Sequence, residues 1–256
     1  MLNRKAFFDA VRQAPFPGRL SQGQVDGMNA ILSEWDARGL TDLRHLAYML
    51  ATAFHETARK MQPINEYGGA AYFRRMYDIR GSRPHVARSL GNTVPGDGVK
   101  FHGRGYVQLT GRANYRKASQ KLGVDFIADP DRVMEPRLAA TIMFVGMEEG
   151  WFTGKKLSDY INDRRVDYRN ARRIINGLDR ASTIAGYAEA FHGALMKAAV
   201  AGTPTQPRKP LTLPDDQPPT DKPKPDSSLT GAPAQVAFAL VVLVVIAVGL
   251  KAFGVI

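Results

Sequence analysis

Apolar positions along the first part of this chain recur with a helical period rather than a two-residue one. Phe7, Phe8 and Val11 share one side of a predicted helix over Asn3–Gln13, with Asn3 as its N-cap and Pro15, Pro17 and Gly18 ending it. Ser21 is placed to cap a second helix carrying Val25, Met28, Leu32 and Trp35, and Gly39 stands at its C-terminal end. Thr41 is the predicted cap of a third, whose apolar stripe is Leu43, Leu46, Ala47, Leu50 and Phe54. Glu56 falls about 140° from the centre of that stripe at ~100° per residue. It can therefore face a cleft while the opposite side of the helix holds a core.

The period fails between Met61 and Lys100, where glycines and prolines punctuate the run. This predicts a long functional loop region. Tyr67, Tyr72, Phe73 and Tyr77 alternate there with Arg74, Arg75 and Arg80. That composition suits a sugar cleft, a nucleic-acid surface or ordinary packing at a loop–core boundary. Tyr106–Leu109 reads as a short strand, and Thr110 opens a helix containing Asn114 and Tyr115. Further helices are predicted over Arg137–Glu149 and Ser182–Val200. The basic stretch Arg164–Arg173 between them reads as a solvated helix face.

The pattern then changes twice. Residues 203–234 hold nine of the sixteen prolines and cannot build a core, which predicts an extended linker. Residues 235–256 are almost wholly apolar, Lys251 being the only charge. As a helix this piece is about 30 Å long, enough to span a bilayer, with Lys251 able to snorkel to the interface. The expected organisation is a catalytic-size domain over 1–202, a linker over 203–234 and a membrane anchor over 235–256. The charges flanking the anchor are too few to orient it, so its sidedness stays open.

Composition narrows the chemistry. There is no cysteine, and the five histidines show no metal-binding spacing, so neither metal nor cofactor is expected. The net charge is +11, and residues 1–202 carry +10 of it, from 30 basic and 20 acidic side chains. A basic domain suits a polyanionic partner such as an acidic wall polymer. No recognition-helix or RNA-binding pattern is present, so no specific nucleic acid is expected. The first residues lack the apolar run of a secretory leader. Gly103-Arg104-Gly105 lacks the rest of a phosphate loop, and Arg104 reads as structural.

Glu56, at the end of a buried helix, is expected to be partly desolvated and suited to donating a proton. Glu66, ten residues on in a polar loop, is expected to stay ionised. Two carboxylates in unlike surroundings are the minimal equipment for glycoside hydrolysis. The motifs AFHETA at Glu56, INEYGG at Glu66, FHGRGYVQLTGRANY over Phe101–Tyr115 and ARRIINGLDRA over Ala171–Ala181 together resemble the family 19 glycoside hydrolases, and their phage endolysin branch more than the plant chitinases. The resemblance implies an α+β, predominantly helical, lysozyme-like fold of two lobes with a small β region. It implies inverting hydrolysis of β-1,4 bonds next to N-acetylated amino sugars, with Glu56 as general acid and Glu66 as the base that activates water. It further implies that Thr110 holds that water and that Gln108, Asn114, Asn176 and Tyr106 bind sugar. Three readings stand: a peptidoglycan-cleaving endolysin of muramidase type, a chitinase, and a non-catalytic wall-binding or virion protein.

Overall fold

The computed structural model describes residues 2–201. The proline-rich linker and the apolar terminal segment expected from the sequence lie outside these residues. Among the described residues no helix is long and apolar enough to cross a membrane.

The fold is predominantly helical, and helix α3 (Leu43–Glu56) is its centre. Every residue from Leu46 to Phe54 is buried, so this helix has no solvent face to set against its apolar stripe. It is surrounded by core, and only its last turn reaches polar surroundings. Asp42, not Thr41, caps it: the Asp42 carboxylate accepts from the Arg44 amide at 3.0 Å. An aspartate next to the first turn also meets the positive end of the helix dipole, an advantage threonine lacks.

Helix α10 (Ala181–Val200) lies along α3, and α1 (Arg4–Gln13) lies along α10. Phe16, Phe54 and Phe191 interlock edge to face at the heart of this packing, with Phe16 and Phe54 centroids 4.9 Å apart. Each such fully buried ring is worth roughly 1.5–3 kcal/mol relative to exposure. Asn3 and Ser21 cap α1 and α2 (Gln22–Ala37) as the sequence predicts. Helix α8 (Pro136–Glu149) packs against α2 from the far side. Gly27 of α2 lets the chain after α3 pass very close, since a Cβ there would lie 1.5 Å from the Met61 carbonyl oxygen.

The stretch predicted as loop is largely short helices. Strand β1 (Ile64–Asn65) is followed by α4 (Ala70–Tyr77), α5 (Pro84–Ser89) and α6 (Asp97–Lys100). Phe73, Tyr77, Val86 and Leu90 make a small core of their own there. Helices this short bury at most two apolar side chains each, too few for a period to register.

The predicted strand over Tyr106–Leu109 is instead a turn. The strand is β2 (Arg104–Gly105), antiparallel to β1 with Ile64 opposite Gly105 and Asn65 opposite Arg104. Positive φ at Gly105 and Gln108 folds the chain back so that Arg104 bridges Leu109. Helix α7 (Arg112–Leu122) begins two residues after Thr110.

The basic stretch Arg164–Arg173 is no solvated helix. It contains β4 (Arg165–Val166), paired with β3 (Ile161–Asn162), then α9 (Tyr168–Ala171) and a tight turn at Arg172–Ile174. Arg172 is 1% exposed.

Candidate active site

Glu56 is the last residue of α3. The chain leaves the helix through a turn closed by Thr57, whose hydroxyl donates to the Ala53 carbonyl at 2.7 Å and accepts from the Met61 amide at 3.0 Å. Ala58, Arg59 and Met61 take positive φ in this turn, an unusual cost for three non-glycine residues that fixes how Glu56 leaves the helix. Arg172 Nη1 lies 2.5 Å from Glu56 Oε1, and the two side chains are 1% and 4% exposed. Arg172 Nε also donates to the Asp179 carbonyl at 3.2 Å, which orients the guanidinium. Glu56 is thus desolvated as expected, but it faces a cation that sequence reasoning did not assign to it.

Two polar atoms beside this pair have no hydrogen-bond partner among the described residues: the hydroxyl of Tyr48, which feels the charges of both Arg172 and Glu56, and His55 Nε2. Burial lowers the pKa of His55, with the Glu56 charge opposing the shift. Asn176 belongs to the same group of residues. Its amide donates to the Arg172 carbonyl at 2.9 Å, and its side-chain oxygen accepts from the Gly177 amide at 2.8 Å.

Glu66 heads a second group. Its own amide donates to the Gly103 carbonyl at 2.8 Å, which continues the β1–β2 pairing by one residue. Its carboxylate is 6% exposed and accepts from the Tyr77 hydroxyl at 2.5 Å and the Gly103 amide at 3.2 Å. Burial raises its pKa, and these two hydrogen bonds pull against the rise. Glu66 therefore does not lie in the polar loop expected from the sequence but in a buried site. Short helix α4 brings Tyr77 over the loop and removes the carboxylate from water.

Gly103 is the point on which this group converges. A Cβ there would lie 3.0 Å from Glu66 Oε2, 3.1 Å from Gln108 Oε1 and 3.1 Å from Thr110 Oγ1. Gln108 Nε2 donates to the Ile64 and Gly105 carbonyls at 3.2 Å each, which turns its oxygen toward Gly103. The Thr110 hydroxyl donates to the Gln108 carbonyl at 2.8 Å, so its lone pairs remain for a hydrogen from water. Asn114 Nδ2 donates to the Thr110 carbonyl at 2.6 Å, holding the start of α7 to the same feature.

Tyr106 has no place in this group. It is fully buried and its hydroxyl donates to the Gly27 carbonyl at 3.3 Å, so it offers no surface to a sugar. The resemblance gave Tyr106 to the sugar, but the turn after Gly105 aims it at α2. Arg104 is structural, as read. Its Nη1 donates to the Lys100 and His102 carbonyls and the Tyr115 hydroxyl, and its Nε lies 2.8 Å from Asp131.

The sequence missed Arg172, Tyr77 and Gly103. Arg172 and Arg173 are adjacent and alike in sequence, and only the turn after α9 buries one and exposes the other. Among the described residues, no group of three or more His, Asp or Glu side chains is placed to hold a metal ion.

The family whose model is described as chitinase class I, glycoside hydrolase family 19, matches residues 33–158. That span contains Glu56, Glu66, Gln108, Thr110 and Asn114 and ends before Arg172 and Asn176. Solved structures similar to this chain include chitinase C from Streptomyces griseus HUT6037, at 18% identity and a TM-score of 0.46, over 77% of this chain and 76% of that one. Another is a bacterial family 19 chitinase whose structure and enzymatic properties differ from plant enzymes, at 21% identity and a TM-score of 0.46, over 76% of this chain and 94% of that one. No curated protein sequence matches the chain.

Proposed function

We propose that this glycoside hydrolase, which carries a family 19 domain, cleaves the β-1,4 bonds of bacterial peptidoglycan by inversion, with Glu56 as acid and Glu66 as base. The observation that carries this reading is the set of three oxygens, from Glu66, Gln108 and Thr110, facing one side-chain-free position at Gly103. A water held among these oxygens, against the bare face of Gly103, donates one hydrogen to Glu66 and another to Thr110 or Gln108, leaving a lone pair for the anomeric carbon. An inverting enzyme needs room for that water between its carboxyl groups.

Burial makes Glu66 a stronger base once it is ionised, because the proton affinity of a carboxylate rises with its pKa. Glu56 protonates the leaving oxygen, and the Arg172 guanidinium stabilises the carboxylate that results. Gln108, Asn114 and Asn176 hold the sugar ring. The basic charge of residues 1–202 supports a polymer bearing carboxylates or phosphates over neutral chitin. The family description favours the second reading, a chitinase, and reducing ends released from purified peptidoglycan against colloidal chitin separate the two.

The roles are tested by rescue. Glu56→Gln is expected to keep activity on an aryl glycoside whose leaving group needs no proton. Glu66→Gln is expected to be rescued by azide with an inverted glycosyl azide as product. The opposite pattern would exchange the two roles, and inactivity of neither variant would remove both residues from the mechanism. The sequence of 203–256 supports a tether to a membrane, which partition of the full chain against a 1–202 fragment would test.

A further inference from the structure

Between Ala70 and Leu90 the chain carries five arginines and a single acid, Asp78. That acid is turned inward. It is 4% exposed, and it accepts from the backbone amides of Arg80 at 3.1 Å, Gly96 at 2.7 Å and Gly98 at 3.4 Å. Its charge is spent on the backbone, and among the described residues Arg74, Arg75 and Arg80 form no ion pair.

These three arginines border one open depression of about 540 Å³, together with Ser82, Asp78 and Gly96. Its construction follows from α4, which sends Phe73 and Tyr77 inward and Arg74 and Arg75 outward. The chain then doubles back on the end of that helix. The Gly81 amide donates to the Asp78 carbonyl and the Ser82 amide to the Arg75 carbonyl, both at 2.9 Å. A Cβ on Gly81 would lie 2.2 Å from the Arg74 carbonyl oxygen, so only glycine permits this return. The return brings Arg80 and Ser82 beside the helix arginines, while the Arg75 guanidinium lies over the Tyr72 ring at 5.9 Å.

We infer that this depression binds an oxyanion of the wall polymer, a phosphodiester or a carboxylate, and holds the strand beside the carboxylate that acts on it. Guanidinium groups match such oxyanions in shape and charge. The same eight-residue helix that presents Arg74 and Arg75 carries Tyr77, the hydrogen-bond donor to Glu66, so strand and base are referred to one rigid element. Neutral chitin has nothing for the site to grip. The inference rests on the wall-polymer reading given above.

The test uses the full chain with Arg74, Arg75 and Arg80 all changed to Gln, and a charge-keeping version with all three changed to Lys. Co-sedimentation is measured with purified bacterial walls, with the same walls after acid removal of their phosphate polymers, and with colloidal chitin. The glutamine variant is expected to lose about tenfold in wall affinity at low salt, since three charge contacts are removed. The lysine variant is expected to keep most of it, and chitin binding and hydrolysis of a short neutral oligosaccharide are expected to stay unchanged. Loss of wild-type affinity on stripped walls assigns the phosphate, and unchanged affinity assigns the carboxylate. Wall binding by the glutamine variant equal to wild type overturns the inference, as does displacement of wall by single-stranded DNA at lower charge concentration. Arginine-dependent binding without wall cleavage would leave the inference standing and remove the hydrolytic reading instead. Cleavage with arginine-independent binding does the reverse.

Discussion

Tyr77 donates its phenolic hydrogen to Glu66 at 2.5 Å, inside a small core that the rest of α4 builds around it. The bond does two things at once. It fixes one carboxylate oxygen, leaving the other directed at Gly103, and it offsets part of the rise in proton affinity that burial causes. Tyr77→Phe keeps the ring and removes only the donor. Glu66 then becomes harder to ionise, so the acidic limb of the pH–rate profile is expected to move to higher pH. Activity at neutral pH is expected to fall about tenfold, the equivalent of one modest hydrogen bond in the transition state. An unmoved limb with lowered activity would show that the bond only packs the lobe.

The Glu56–Arg172 pair is expected to behave as a buried ion pair does. Arg172→Met strands the Glu56 charge in a site 4% exposed and should cost about 3–5 kcal/mol in urea unfolding. Adding Glu56→Gln removes the stranded charge and should return much of that loss without restoring hydrolysis. If the double variant is no more stable than Arg172→Met alone, the guanidinium acts through its contact with the Asp179 carbonyl rather than through Glu56.

Glu66 carries a stability signature of its own. Its pKa is raised in the folded protein, so the native state binds this proton more tightly than the unfolded chain does. The stabilisation is complete below the ordinary carboxylate pKa and is lost as pH rises through the raised one. Glu66→Gln cannot titrate. The melting temperature of wild type relative to this variant should therefore fall from acid toward neutral pH. A difference that is flat across that range would mean Glu66 is solvated in solution.

The elements that could be read from sequence were the long ones. Helices α1, α2, α8 and α10 announce themselves through repeated apolar positions and caps such as Asn3 and Ser21. Glu56 could be placed because it ends such a helix, and Gln108, Thr110 and Asn114 because their motif is distinctive in order. What could not be read depended on short elements. Tyr77 sits on a helix of eight residues and Arg172 just after one of four, where no period can show which side faces in. The environment of Glu66 was misjudged for the same reason, since its burial comes from α4 and from the Gly103 backbone rather than from neighbours in sequence. Tyr106 lies in the same motif as Gln108, yet the turn set by positive φ at Gly105 and Gln108 buries it, and no pattern of apolar positions signals such a turn.

Gly103 permits the sharpest single test of the site. It does not take a positive φ, so alanine is allowed there conformationally and the only change is one methyl group. That methyl would press on Glu66 Oε2, Gln108 Oε1 and Thr110 Oγ1, at 3.0–3.1 Å. These are tight contacts, but each neighbour is a side-chain tip with some freedom to yield, so the fold should survive with a loss of no more than about 1 kcal/mol. The place proposed above for the attacking water would not survive. Displacing a reacting group by about 1 Å costs roughly a hundredfold in rate, and a loss of that size in kcat is expected with KM little changed. Of the sugar contacts proposed above, those of Asn114 and Asn176 are untouched by the methyl and only that of Gln108 is pressed, which is why KM should change far less than kcat. Near-wild-type turnover by Gly103→Ala, with its melting temperature preserved, would place the attacking water elsewhere and leave Glu66 as a structural carboxylate.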